Sequence, residues 1–302
     1  MIFNMKTIKI KSEKDGLELG VAIIEPKTKP KGVVQISHGM SEHKERYYDF
    51  MRYLADYGYV SVIHDHRGHG ASIKDKNDLG YFYTDDISYI VDDLHQVTKY
   101  IKEKYKDLDC FLFSHSMGTL VVRNYLKKYD LEIKKVILCG PPTRNNLTNV
   151  GIFFAKVSGL FGDKKVNKFL NKLTFGNYNR NNEIENEWVC SNSETVYKYN
   201  KDDLCGYVFT TNGFLNLYKL MKESFNKKDW NVSNKNLNIF VIAGEDDPVI
   251  QGIDEFNDLI EFLKEIGYNN IKSRLYKGKR HELLNELGNE MIYQDILTFI
   301  EE

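Results

Sequence analysis

The chain has no surplus of either charge: 42 Lys and Arg stand against 43 Asp and Glu, a formal net charge of -1. A nucleic-acid partner would call for a basic excess, so none is expected. No apolar run approaches the length that spans a bilayer. The opening Met1-Ile2-Phe3-Asn4-Met5-Lys6 lacks the apolar core, roughly 7–15 residues long, of a secretory signal. Only four cysteines occur, Cys110, Cys139, Cys190 and Cys205, and no two make a C-x-x-C pair. Two of them fall in expected buried strands, so reduced thiols are expected rather than disulfides or a zinc site. Repeats and low-complexity linkers are also missing. These absences together read as a soluble, cytoplasmic protein, and 302 residues suffice for one large core with or without an inserted lid.

What is present is an alternation of short apolar runs and helical spacings. Residues 5–25 read as a hairpin around Asp15-Gly16. Strands are expected at 32–37, 59–63, 111–115 and 135–140, with helices near 45–57, 85–104 and 117–129 between them. The alternation lapses from Pro141 to about Asn236, where asparagine, lysine and aromatics dominate. It resumes with strand 237–243, helix 253–266, strand 271–276 and a final helix from about Gly288. Strand–helix alternation predicts an α/β fold, a mostly parallel central sheet flanked by helices. The expected domains are a core of residues 1–140 and 237–302 and an inserted helical cap at 141–236.

Chemistry concentrates at the expected carboxyl ends of the strands, where open α/β sheets hold their ligands. The run Phe111-Leu112-Phe113-Ser114-His115-Ser116-Met117-Gly118 breaks from strand into helix around a serine, the pattern of a nucleophile elbow. Strand and helix pass close there, so small residues are needed two positions either side of Ser116. Gly118 meets the demand fully and Ser114 less well. After strand 237–243 comes Gly244-Glu245-Asp246-Asp247-Pro248-Val249, and after strand 271–276 comes Lys277-Gly278-Lys279-Arg280-His281-Glu282. A serine hydroxyl is a poor nucleophile until a base such as His281 takes its proton. A carboxylate, Asp246 or Asp247, must then fix the imidazole tautomer. An oxyanion hole needs two backbone donors, expected from the N–H groups of Met117 and of Met40 in the His38-Gly39-Met40 loop.

The motifs His38-Gly39-Met40-Ser41-Glu42-His43, Asp65-His66-Arg67-Gly68-His69-Gly70-Ala71-Ser72, Ser114-His115-Ser116-Met117-Gly118, Gly244-Glu245-Asp246-Asp247-Pro248-Val249 and Arg280-His281-Glu282 occur in this order. In them the chain resembles the monoacylglycerol lipase and lysophospholipase (serine aminopeptidase-like) family of α/β-hydrolases, along the whole core and weakly in the cap. It departs from the family at Ser114 and Thr119, where glycine is usual. The resemblance favours Asp247 over Asp246 as the acid. It implies the α/β-hydrolase fold and hydrolysis of a carboxylic ester on a single-chain lipid: attack by Ser116, an acyl-enzyme, then water activated by His281. No metal or organic cofactor is implied.

Other readings compete. His64, Asp65, His66 and His69 resemble a metal cluster, but Gly68 stands where a metallo-β-lactamase pattern has Asp, and a hydrogen-bonded turn fits better. An α/β-hydrolase scaffold also serves non-catalytic binding proteins, although these typically lose a catalytic group. Esterase, thioesterase and peptidase activities share the same triad. Gly39 and His115 are expected to contact substrate, as are Ile152, Phe153 and Phe154 of the apolar stretch 151–162. That stretch lines an acyl channel, docks at a lipid surface or packs the cap on the core. Trp188, Tyr197, Phe209, Phe214 and Tyr218 add apolar wall or cap core. Glu42 and Arg46 either brace the oxyanion loop or form an i, i+4 surface pair. The oligomeric state is not encoded in any of these features.

Overall fold

A computed structural model describes residues 4–178 and 184–302. The expectations for residues 1–3, and for 179–183 of the inserted segment, lie outside the described residues. The hairpin forms as β1 (Asn4–Lys11) and β2 (Glu18–Glu25). There follow β3 (Gly32–Ser37), α1 (Tyr48–Asp56), β4 (Tyr59–His64), α2 (Ser88–Lys104), β5 (Cys110–His115), α3 (Met117–Tyr129) and β6 (Lys135–Cys139). Four helices come next: α4 (Thr148–Gly159), α5 (Lys168–Phe175), α6 (Ser193–Lys201) and α7 (Thr211–Ser224). The chain closes with β7 (Asn238–Gly244), α8 (Ile253–Glu265), β8 (Asn270–Tyr276) and α9 (Glu290–Glu301). Helix α2 starts at Ser88 rather than Asp85 because the Asp86 carboxylate accepts the Ser88 N–H, 2.8 Å away, in a side-chain turn.

The eight strands form one sheet in the order β1-β2-β4-β3-β5-β6-β7-β8. Strands β1, β2 and β4 pair antiparallel, and every pair from β4 onward is parallel. A parallel sheet needs cover on both faces, which is why β3 to β6 read as mostly apolar runs. Alternate residues divide between two cores. Val60, Val62 and Leu112 meet α2, α3 and α8 on one face, and Val34, Ile36 and Phe113 meet α1 and α9 on the other. Polar Gln35 tolerates burial because its amide donates to Leu94 O and accepts from Thr98.

Helices α4 to α7 are inserted between β6 and β7, and the sheet gains no strand from them. The segment shares the main core: Phe214, Leu217 and Leu220 of α7 join the cluster that contains Leu120 and Val121 of α3. Each such leucine contributes about 1.5–3 kcal/mol by leaving water. Among the described residues, Val189, Cys190 and Val196 form a small cluster apart. No described helix is long and apolar enough to cross a membrane.

Candidate active site

Strand β5 ends at His115 and α3 begins at Met117, so Ser116 makes the whole turn, with φ 52° and ψ -121°. A non-glycine residue there stores about 1–3 kcal/mol of strain. The crossing is tight enough to exclude any side chain at Gly118, whose Cβ would stand 2.2 Å from Ser37 O and 2.6 Å from His38 O. Ser114 is accommodated because its hydroxyl donates to Ile137 O of β6, 2.9 Å away. Thr119 finds a similar use, donating from Oγ1 to Ser116 O at 2.8 Å.

At the end of β7, Asp247 is buried and Asp246 exposed. Asp247 Oδ1 accepts from Val249 N at 2.8 Å, which aims Oδ2 at His281 Nδ1, also at 2.8 Å. That bond occupies Nδ1 and leaves Nε2 as the imidazole's free face. Ser116 and His281 line the same cavity of about 360 Å³. Among the described residues no hydrogen bond joins the Ser116 hydroxyl to the ring. Such contacts are often long without substrate and tighten in the complex.

The loop after β3 approaches from the other side. Glu42 Oε1 accepts from Gly39 N–H at 2.5 Å, from Tyr47 OH at 2.9 Å and from His115 Nδ1 at 3.0 Å. Gly39 N–H is thereby taken, and the N–H groups of Met40 and Met117, both on the cavity wall, donate to no carbonyl among the described residues. Burial opposes the charge on both Glu42 and His115, but their hydrogen bond outweighs it. It holds the carboxyl well below its usual range and the ring above its own. Both ring nitrogens of His115 face acceptors, Nδ1 on Glu42 and Nε2 on His281 O at 3.2 Å, as suits an imidazolium. Glu42 thus braces the loop. Arg46 does not pair with it but forks onto Glu282, at 2.8 and 2.5 Å, tying α1's approach to the loop that carries His281. Nothing in the sequence pairs residues 46 and 282; only the fold brings them together.

The structure therefore brings Ser116, Met117, Met40, His115 and His281 onto one cavity, with Asp247 directly behind and Gly39 packed between Glu42, His115 and Ser116. It does not bring Ile152, Phe153 or Phe154 there. Helix α4 buries Thr148, Gly151 and Ala155, one face at i, i+3 and i+7, and Gly151 lies so close to the Tyr218 ring that a Cβ would stand 2.7 Å from it. Phe153 projects away from that face and is 61% exposed, Phe154 lies at its edge, also exposed, and Ile152 packs on the core. The apolar wall comes instead from Phe175, Tyr178, Trp188, Leu217 and Met221. Of the five aromatics singled out in the sequence, only Trp188 lines it, its ring 5.4 Å from that of His281. Phe175 and Tyr178 carried no signal beyond a general aromatic content.

The histidine cluster lies beside this site, not in it. His38, His64, His66 and His69 are fully buried, and burial pushes His64 down to about 3 and His69 down to about 4. The Asp65 carboxylate is engaged by the Lys44 ammonium and by the N–H groups of Lys44 and Ala71. All four cysteines are free and buried.

A family model described as serine aminopeptidase, S33, matches residues 28–288. A monoglyceride lipase homolog from Monkeypox virus is 26% identical over 91% of this chain and 91% of its own length. The monoacylglycerol lipase of Mycolicibacterium smegmatis is 23% identical over 94% and 93%. Among solved structures, a thermostable carboxyl esterase from Bacillus coagulans in complex with glycerol superposes with a TM-score of 0.87, at 25% identity over 98% of both chains.

Proposed function

Because the chain belongs to the serine aminopeptidase (S33) family of α/β-hydrolases and is a hydrolase of the serine kind, we propose that it cleaves the carboxylic ester of single-chain lipids, monoacylglycerols or lysophospholipids. Ser116 Oγ attacks the ester carbonyl while His281 Nε2 takes its proton, and Asp247 stabilises the imidazolium that forms. The N–H groups of Met40 and Met117 receive the developing oxyanion. His281 then protonates the departing glycerol or glycerophosphoryl oxygen, leaving the acyl group on Ser116. Water, deprotonated by His281, releases the fatty acid and restores the serine. No cofactor enters these steps.

The observation that carries this reading is the 2.8 Å contact of Asp247 with His281 on the cavity that Ser116 lines from a strained turn. We assign residues 141–236 the role of a cap, since Phe175, Trp188, Leu217 and Met221 from that segment form the apolar wall an acyl chain requires. Outside the cavity, Phe153, Leu160, Phe161 and Phe169 of α4 and α5 and their connection leave an exposed apolar patch, which supports transient contact with a lipid surface. Labelling by a fluorophosphonate probe tests the nucleophile: wild type should label and Ser116→Ala should not. Rates on monoacylglycerol, lysophosphatidylcholine and a series of p-nitrophenyl esters test the substrate class. Faster turnover of short soluble esters than of either lipid would reject the lipid assignment and leave the serine hydrolase standing.

A further inference from the structure

Immediately after Glu42 the chain holds a second group of donors that the proposed reaction does not use. His43 is buried, and its Nε2 lies 2.8 Å from Asp202 Oδ2 at the end of α6. Cys205, three residues on, is also buried. One donor atom from each of His43, Asp202 and Cys205 lies within 4.8 Å of the other two, and no other trio of this kind occurs among the described residues. We infer that these three side chains bind a borderline divalent cation, zinc foremost, which fastens the inserted segment to the oxyanion loop.

The donor set of imidazole nitrogen, thiolate sulfur and carboxylate oxygen is the one zinc prefers over magnesium or calcium. Zinc bonds of about 2.0–2.3 Å put tetrahedral donors roughly 3.3–3.8 Å apart, so the His43–Asp202 contact opens and the widest separation, at most 4.8 Å, closes by about 1–1.5 Å when the ion enters. The site also has the outer support that metal-bound histidines use. Glu45 Oε2 sits 2.6 Å from His43 Nδ1 and fixes the ring, while Glu45 Oε1 is held by Lys44 Nζ at 2.7 Å. Asp202 Oδ1 accepts from Leu204 N at 2.9 Å, which turns Oδ2 toward the ring. The Asp202 side chain is 37% exposed, so water can complete the coordination.

Charge favours a cation here. Glu45, Asp202 and the Cys205 thiol face the ring, and the two nearby cations are already neutralised, Lys44 by Asp65 and Arg46 by Glu282. Burial works against a charged ring, but these acceptors outweigh it and raise His43 to about 11, while burial raises the thiol. A metal must therefore replace a proton on Nε2 and another on Sγ, both released to solvent. The consequence reaches the cavity, because the same turn donates Gly206 N–H to Ser41 O, accepts the Ser41 hydroxyl at Tyr207 O and lines the pocket with both residues.

Titration of the full chain with Co²⁺ near pH 8 tests the site. One equivalent should give a sulfur-to-cobalt charge-transfer band that Zn²⁺ abolishes. The band should vanish in Cys205→Ser, and affinity should fall at least tenfold in Asp202→Asn, whose side chain is part-exposed. Zn²⁺ should also raise the unfolding temperature of wild type and not of Cys205→Ser. A missing charge-transfer band in wild type overturns the inference. So does a band of full strength in Cys205→Ser, or an unchanged affinity in Asp202→Asn, since the metal would then sit elsewhere.

Discussion

Acid should expose the cost of His64, and the size of the effect follows from its surroundings. The ring is fully buried, and neither nitrogen has a hydrogen-bond partner among the described residues. Burial alone pushes its pKa from 6.5 down to about 3. A base whose folded value is depressed contributes stability that is complete above the unfolded value. That stability is lost as pH falls below 6.5, because the unfolded chain binds a proton that the folded chain refuses. At pH 5 the unfolded ring is protonated and the folded ring is not, a penalty of about 2 kcal/mol. His69, pushed down to about 4, adds a similar amount. His43 runs the other way: raised to about 11, it stabilises fully below 6.5 and loses that contribution as pH rises toward 11. The wild-type curve alone therefore mixes opposite signs. The informative quantity is a difference of differences, from urea unfolding of wild type and His64→Leu at about pH 7.5 and about pH 5. Leucine fills a similar volume and removes two unpaired polar atoms, so the variant should match or exceed wild type near neutrality. It should then lose about 2 kcal/mol less than wild type on acidification. Equal losses in both proteins would refute the reasoning.

Asp247→Asn should cut kcat by roughly 10⁴ with the fold intact, since an amide facing His281 Nδ1 selects the wrong tautomer. Asp246→Asn should be nearly silent in the same ester assay, and the reverse pattern would reassign the acid. Gly118→Ala should destabilise by about 1–3 kcal/mol or more through contact with Ser37 O, measured as a fall in the urea midpoint; an unchanged midpoint would mean that the crossing is looser than described. Phe153→Ser with Phe154→Ser should slow hydrolysis of monoacylglycerol in vesicles several-fold and leave a soluble p-nitrophenyl ester unaffected, because these rings lie outside the cavity. Equal losses on both substrates would instead place them on the acyl path.

The polar frame of the candidate site was legible where a role is local in sequence. Ser116, with glycine two residues on, announces a sharp strand-to-helix turn, and Asp247 and His281 each follow an apolar strand. The choice between Asp246 and Asp247 was not local: both neighbour the same turn, and only the approach of His281 selects the buried one. Glu42 showed the same limit, since i, i+4 spacing offered Arg46 as its partner while the fold gave Glu42 to His115 and Arg46 to Glu282. The apolar stretch 151–162 left an acyl channel, a lipid surface and cap packing open because hydrophobicity records a wish to leave water without saying in which direction. On α4 the small residues Gly151 and Ala155 win the buried face, as close helix packing against α7 requires, and the phenyl rings are left outside.

By itself, then, the sequence determined the order of strands and helices of the core, the parallel sheet and the two strand ends that carry Asp247 and His281, because hydrophobic period and turn chemistry act over a few residues. Tertiary structure alone decided which aromatics wall the cavity and which distant side chains neutralise one another, and it supplied the contact that sets Asp247, already favoured by the resemblance, against His281. Those outcomes depend on distances between residues tens to hundreds of positions apart, and such distances exist only once the chain has packed.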